Sequence, residues 1–228
     1  MQNFLITGAS GGIGSALAEK LQSRGANLAL TGRSVDPLRE RFPNAAVIGA
    51  DLIAPNEAAR VVQEATAAMG SLDCVIHLAG VGLIKSASDT SDAEFSKILN
   101  INLRASFLVA QAACKVMAEQ KHGLFVTVPG ILGKAVMKNA AAYSASKFGV
   151  TGLIKSFAQE YARSGIRFSL LFLGGVDSPF WDHLEMKVQR EKMIPCPVAA
   201  DLILQSIDSP PHLVLSEIVM QPESHQLV

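Results

Sequence analysis

Tyr143 and Lys147 stand four residues apart. On a helix that spacing puts both side chains on one face. A free tyrosine, with a pKa of about 10, exchanges protons poorly at neutral pH. A neighbouring ammonium favours the phenolate and lowers that value, which makes the pair a candidate acid–base device. Only two tyrosines occur in the chain, so a chance Tyr–Lys pairing on an amphipathic helix carries little weight. A second group lies near the amino terminus, in Ile6-Thr7-Gly8-Ala9-Ser10-Gly11-Gly12-Ile13-Gly14. Glycines allow close backbone approach, and N–H groups at a helix start form an anion site suited to a pyrophosphate. The spacing is Gly8-x3-Gly12-x-Gly14, which alone marks no more than a tight turn; its place between a strand and a helix favours nucleotide binding.

The elements that must position these groups alternate along the chain. Apolar runs at 4–6, 28–30, 47–48, 74–76, 124–128, 167–172 and 213–220 read as seven strands. A helix begins near Ile13, with Leu17 and Leu21 on its apolar stripe and Gly25 at its end. Helical patterns also fill about 57–69, 92–119 and 140–163. Strands apolar throughout and separated by helices imply a parallel sheet covered on both faces. The expected fold is α/β, a single-domain doubly wound Rossmann sheet over 1–228. The irregular stretch 174–197, rich in glycine and proline, reads as a lid over a substrate site.

Composition agrees. The 228 residues are 49% hydrophobic, with a mean hydropathy of +0.29, enough for a two-sided core and unlike a disordered chain. Twenty Lys+Arg balance twenty Asp+Glu, which argues against a nucleic-acid partner. Three scattered cysteines fit neither a disulfide framework nor a metal site. No apolar run reaches the ~18 residues of a membrane span, and none resembles a signal peptide. A cytoplasmic protein with no membrane partner is expected.

The second strand ends in Thr31-Gly32-Arg33-Ser34. A carboxylate there would hold the ribose hydroxyls of NAD; Arg33 instead suits a 2′-phosphate. NADP(H) is therefore favoured over NAD(H). Asp36 lies beyond the strand end.

Over nearly its whole length the chain resembles the short-chain dehydrogenase/reductase family. Thr7-Gly8-Ala9-Ser10-Gly11-Gly12-Ile13-Gly14 matches the TGxxxGxG cofactor motif, and Tyr143-Ser144-Ala145-Ser146-Lys147 matches YxxxK. Asp51-Leu52 matches the adenine-contacting pair. His77-Leu78-Ala79-Gly80 is a loose version of NNAG, Asn102 sits where the family has its helix asparagine, and Leu173 to Ser178 resembles the nicotinamide-holding PGxxxT. The resemblance implies Tyr143, Lys147 and Asn102 as catalytic residues, with Asn102 helping to hold a water relay. It implies cofactor contacts from Gly8, Ser10, Gly12, Ile13, Gly14, Arg33, Asp51, Leu52, Ala79, Gly80, Tyr143, Lys147, Val176 and Ser178, and no metal. It also implies a homodimer or homotetramer paired through the long helices.

One departure stands out. The family's catalytic serine lies thirteen positions before the tyrosine, and Gly130 occupies that place, after Pro129. No serine occurs between Ser106 and Ser144. Thr127 points to the opposite side by strand alternation, His77 reads as structural, and Lys134 and Lys138 as solvated surface lysines. In the lid, Phe180, Trp181, Leu184, Met186, Met193 and Ile194 suit a hydrophobic carbonyl substrate. Lys187, Arg190 and Lys192 would suit a carboxylate or a phosphopantetheine phosphate, but they alternate there with Glu185 and Glu191, which favours an ordinary amphipathic helix surface. The expected activity is NADP-dependent hydride transfer between nicotinamide and a carbonyl or alcohol. The alternative is a catalytically weak or silent NADP-binding protein.

Overall fold

The computed structural model describes residues 2–184 and 186–226; Glu185 lies outside them. The chain runs β1 (Asn3–Thr7), α1 (Gly12–Ser23), β2 (Asn27–Gly32), α2 (Asp36–Arg41), β3 (Ala46–Gly49), α3 (Glu57–Met69), β4 (Cys74–His77) and α4 (Asp92–Leu99). It continues through a π-helical turn (Asn100–Arg104), α5 (Ala105–Gln120), β5 (Gly123–Thr127), α6 (Ala141–Glu160), β6 (Ile166–Leu173), β7 (Val176–Asp177), β8 (Ile194–Pro195), α7 (Cys196–Ile207) and β9 (Glu217–Met220). Seven strands form one parallel sheet in the order β3-β2-β1-β4-β5-β6-β9. The order reverses between β1 and β4, and ligands of open α/β sheets bind at that switch point.

The uniform apolarity of the strands has a simple cause. Alternate residues feed opposite faces. Phe4, Ile6, Leu124 and Val126 enter the core under α1 and α7, while Leu5, Val75, Phe125 and Phe172 enter the one under α3, α5 and α6. At the end of α1, Gly25 takes φ 74° and donates its N–H to Gln22 O at 2.9 Å, while Ala26 N–H reaches Leu21 O, the expected αL stop.

Several boundaries differ from the sequence expectation. The run 92–119 is two helices joined by the π turn. The last strand starts at Glu217, not 213, because the carbonyls of Leu213 and Leu215 accept hydrogen bonds from the side chains of Arg167 and Ser169 instead of joining the ladder. The stretch 174–197, expected to be a lid, is built from two 3₁₀ turns (Pro179–His183 and Arg190–Lys192) and the small β7–β8 pair. No amphipathic helix forms there among the described residues, and 196–197 already belong to α7.

Candidate active site

At the carboxyl ends of β1, β4, β5 and β6 opens a cleft of about 750 Å³, within the usual range for a small-molecule site. The turn after β1 forms one wall. Gly8, at φ 70°, lies so close to the segment after β4 that a Cβ on it would stand 2.8 Å from Ala79 N. A Cβ on Gly14 would collide with the Gly8 carbonyl. No acidic side chain occupies the first turn of α1, and its N-cap, Gly11, makes no side-chain cap bond, so its N–H groups are open to an anion.

Of the residues singled out from sequence, Gly8, Gly12, Ile13, Gly14, Arg33, Gly80, Tyr143, Lys147, Val176 and Ser178 border this cleft. Arg33 makes no ion pair among the described residues. Asp36 instead pairs with Arg39. Ser10, Asp51, Leu52, Ala79 and Asn102 are not among the lining residues; Asp51 Oδ1 accepts the Ile53 N–H at 3.3 Å.

Tyr143 and Lys147 share one face of α6. Lys147 Nζ lies 5.6 Å from the Tyr143 ring centroid and donates to Val128 O at 3.4 Å. Burial pulls the Lys147 ammonium down to about 8. It pushes the Tyr143 phenol above its ordinary value, so desolvation outweighs the lowering expected from the neighbouring lysine. The Phe180 ring approaches Tyr143 at 6.1 Å between centroids and abuts Gly82, where a Cβ would meet it at 2.5 Å. Trp181 also lines the cleft, with Nε1 donating to Val176 O at 2.8 Å.

Asn102 stands behind this face, 1% exposed, on the π turn. Its Oδ1 accepts the Val81 N–H at 2.9 Å, and its Nδ2 donates to Val81 O and to Ser146 Oγ. Ser146 Oγ in turn donates to Tyr143 O at 2.7 Å. A Cβ at Gly80 would lie 3.1 Å from Asn102 Oδ1 and 3.5 Å from Lys147 Nζ.

Asn102 also ends a buried polar chain. Ala79 N–H donates to Thr7 Oγ1, which contacts His77 Nδ1 at 2.7 Å. His77 Nε2 lies 3.0 Å from Ser106 Oγ, whose hydroxyl donates to Asn102 O at 2.5 Å. Because that hydroxyl is spent on a carbonyl, Nε2 must carry the histidine proton and Nδ1 must accept from Thr7. Burial first, then Lys147, holds His77 neutral, with its pKa down to about 3. Its role is structural.

Gly130 takes φ 71° and ψ 175°, a region essentially reserved to glycine. That conformation falls at the place where the serine was expected. Thr127 donates to His77 O. Lys134 pairs with Glu217, and neither Lys134 nor Lys138 lines the cleft.

Sequence reasoning missed Ser106 and Ser146 as partners of Asn102. It also missed the tail, whose Ser224 and His225 border the cleft. The tail is held where Gly174 N–H donates to Met220 O at 2.7 Å. The only available signal was topological, since a last strand beside β6 delivers whatever follows it to Gly174.

A family model described as short chain dehydrogenase matches residues 2–189. An uncharacterized oxidoreductase of Staphylococcus aureus (strain MRSA252) is 29% identical over 223 residues, covering 96% of each chain. A metagenomic short-chain oxidoreductase solved in complex with NADP is 29% identical, with a TM-score of 0.82 over 97% of this chain and 96% of that one. An alcohol dehydrogenase from the archaeon Thermococcus sibiricus, complexed with 5-hydroxy-NADP, shares the fold at a TM-score of 0.88, with 22% identity and 99% of each chain covered.

Proposed function

The chain belongs to the short-chain dehydrogenase family and is an oxidoreductase of that type, and from that premise we propose that it uses NADP(H) to interconvert a carbonyl compound and its alcohol. The carrying observation is that Tyr143, Lys147, the glycine turn and Arg33 border one cleft. The residues fit a dinucleotide phosphate. A Cβ at Gly8, Gly12 or Gly14 would collide with its surroundings, the α1 N–H groups suit a pyrophosphate, and Arg33, without an ion pair among the described residues, suits a 2′-phosphate. Gly8, Gly12, Ile13 and Gly14 would hold the pyrophosphate side. Val176, Ser178, Gly80 and Lys147 would hold the nicotinamide side, with Ser10, Ala79, Asp51 and Leu52 as supporting contacts.

Hydride transfer is the chemistry that a bound nicotinamide supplies. Tyr143 gives the proton to the substrate oxygen in reduction and takes it back in oxidation. A half-buried phenol held protonated is suited to the donor role. Lys147, with its pKa near 8, changes charge close to working pH and steers the phenol. Asn102 acts as a positioning residue, tying Val81 and, through Ser146, the Tyr143 carbonyl to the π turn. With no serine at 130 and no N–H on Pro129, Tyr143 carries the polarisation of the substrate oxygen.

The test is cofactor titration with turnover over ketones and quinones. NADPH binding with turnover lost in Tyr143→Phe is the expected result. Failure to bind either nicotinamide cofactor refutes the reading. Gly130 favours a second reading, a catalytically silent NADP-binding protein, which tight NADPH binding without turnover in the native chain would select.

A homodimer or homotetramer is also proposed. It is supported by Phe95, Phe107 and Phe148, each about two-fifths exposed on α4, α5 and α6; Phe107 also borders an apolar hollow with Leu103 and Leu153. Sedimentation of native and Phe107→Glu protein tests it, and a native monomer refutes it.

A further inference from the structure

The cleft is one-sided in charge. Among its described lining residues there is no aspartate or glutamate, although Arg33, Lys147, Lys187 and Lys192 all line it. The whole chain balances its charges to zero, so the asymmetry is local. Arg33 and Lys147 are assigned to the cofactor under the reading above. Lys187 and Lys192 are not, and neither makes an ion pair among the described residues. Arg190 bridges two aspartates of the segment, Asp177 at 3.5 Å and Asp182. Glu191 is exposed and does not line the cleft. The two lysines, both exposed, stand at the cleft beside apolar walls from Ile84, Leu132, Met137, Phe180, Trp181 and Met193. Low-dielectric walls focus the field of such charges on an incoming anion, and the walls reward an apolar body.

We infer that the substrate is an apolar carbonyl or alcohol compound bearing a carboxylate, with Lys187 and Lys192 receiving the carboxylate. This rests on the oxidoreductase reading and names its substrate class.

The protein's one tryptophan, Trp181, lines the cleft, so its fluorescence reports occupancy directly. NADP⁺-saturated protein is titrated with 4-cyclohexylbutanoate and with the matching amide, which share the apolar body and differ in the charge and hydrogen bonding of the head group. The acid binds more tightly by about tenfold or more, the factor expected of a charge-assisted contact. Lys187→Gln and Lys192→Gln each shrink the ratio, and the double variant brings it near one while the Kd for NADP⁺ stays unchanged. Equal binding of acid and amide to the native holoenzyme overturns the inference and leaves the oxidoreductase reading standing. So does an acid preference seen only without NADP⁺, since that locates the anion in the cofactor site. A double variant that loses NADP⁺ affinity but keeps the acid preference overturns it too, because the lysines then serve the cofactor. Failure of the native protein to bind NADP⁺ at all removes the underlying function, and the substrate assignment falls with it.

Discussion

Restoring the family's serine by Gly130→Ser should harm this protein. The residue sits at φ 71° and ψ 175°, and holding a side-chain-bearing residue in so sparsely populated a region costs about 1–3 kcal/mol. Space is not the obstacle, since an added Cβ would find its nearest neighbour, Leu173 O, at an ordinary 3.5 Å. The penalty is therefore conformational, and Gly130→Ala should carry the same one. At about 2–4 °C per kcal/mol for a chain of this size, both variants should melt roughly 2–12 °C below the native protein. The serine hydroxyl would start from a Cβ beside the Leu173 carbonyl, an acceptor within its reach. It would donate there and not to a substrate oxygen. The ~10²–10³-fold gain that an oxyanion donor can bring is then not recovered. Thermal melts and kcat on one reducible ketone check both halves. A Gly130→Ser protein with native melting temperature and kcat raised tenfold or more would refute the reasoning, because it would place the hydroxyl in the serine's usual position without strain.

Arg33→Ala should weaken NADPH by about 10–100-fold, the worth of hydrogen bonds to a charged group, and leave NADH nearly untouched; equal losses in paired titrations would remove the case for NADP. His77 has a folded pKa of about 3 against an ordinary 6.5, so below 6.5 the unfolded chain takes up a proton that the folded one refuses. Stability should fall as pH drops from 6.5 towards 3, by up to about 1.4 kcal/mol per pH unit from this group, and urea midpoints of His77→Asn should show a shallower acid slope. Lys147 is depressed to about 8, so the folded state bears the cost of its charge below that pH and is relieved between 8 and 10.5. Lys147→Met should raise the melting temperature of the cofactor-free protein at pH 7 while abolishing turnover.

The sheet was legible because its signal is redundant. The inner strands repeat the same kind of apolar run, and the two-sided core accounts for it, while the edge strand β9 leaves Glu217 and Val219 exposed. The Tyr143–Lys147 face was legible because helical spacing fixes it directly. Other features leave weaker traces. α7 opens with Pro195 before it and Pro197 in its first turn; prolines at a helix start pre-set φ and do not break it, yet in sequence they look like loop. The π turn around Asn102 keeps the apolar periodicity of its neighbours and so hides inside one long helical pattern. In 174–197, alternation of basic residues with Glu185 and Glu191 suggests an amphipathic helix surface. The described residues there instead fold as 3₁₀ turns, with Arg190 bridging Asp177 and Asp182. Side-chain partners set by tertiary contact, such as Ser146 with Asn102, have no local sequence signature.

The hydrogen-bond series through Thr7, His77 and Ser106 has both ends locked. An amide N–H of Ala79 begins it and cannot accept; a carbonyl of Asn102 closes it and cannot donate. Its hydrogens can therefore point one way only, and no proton can travel along it and leave the seam ready for another. It is a spacer of fixed polarity, and an engineer replacing one of its members must change the next one as well, or leave a lone pair or a hydrogen stranded in the dry interior.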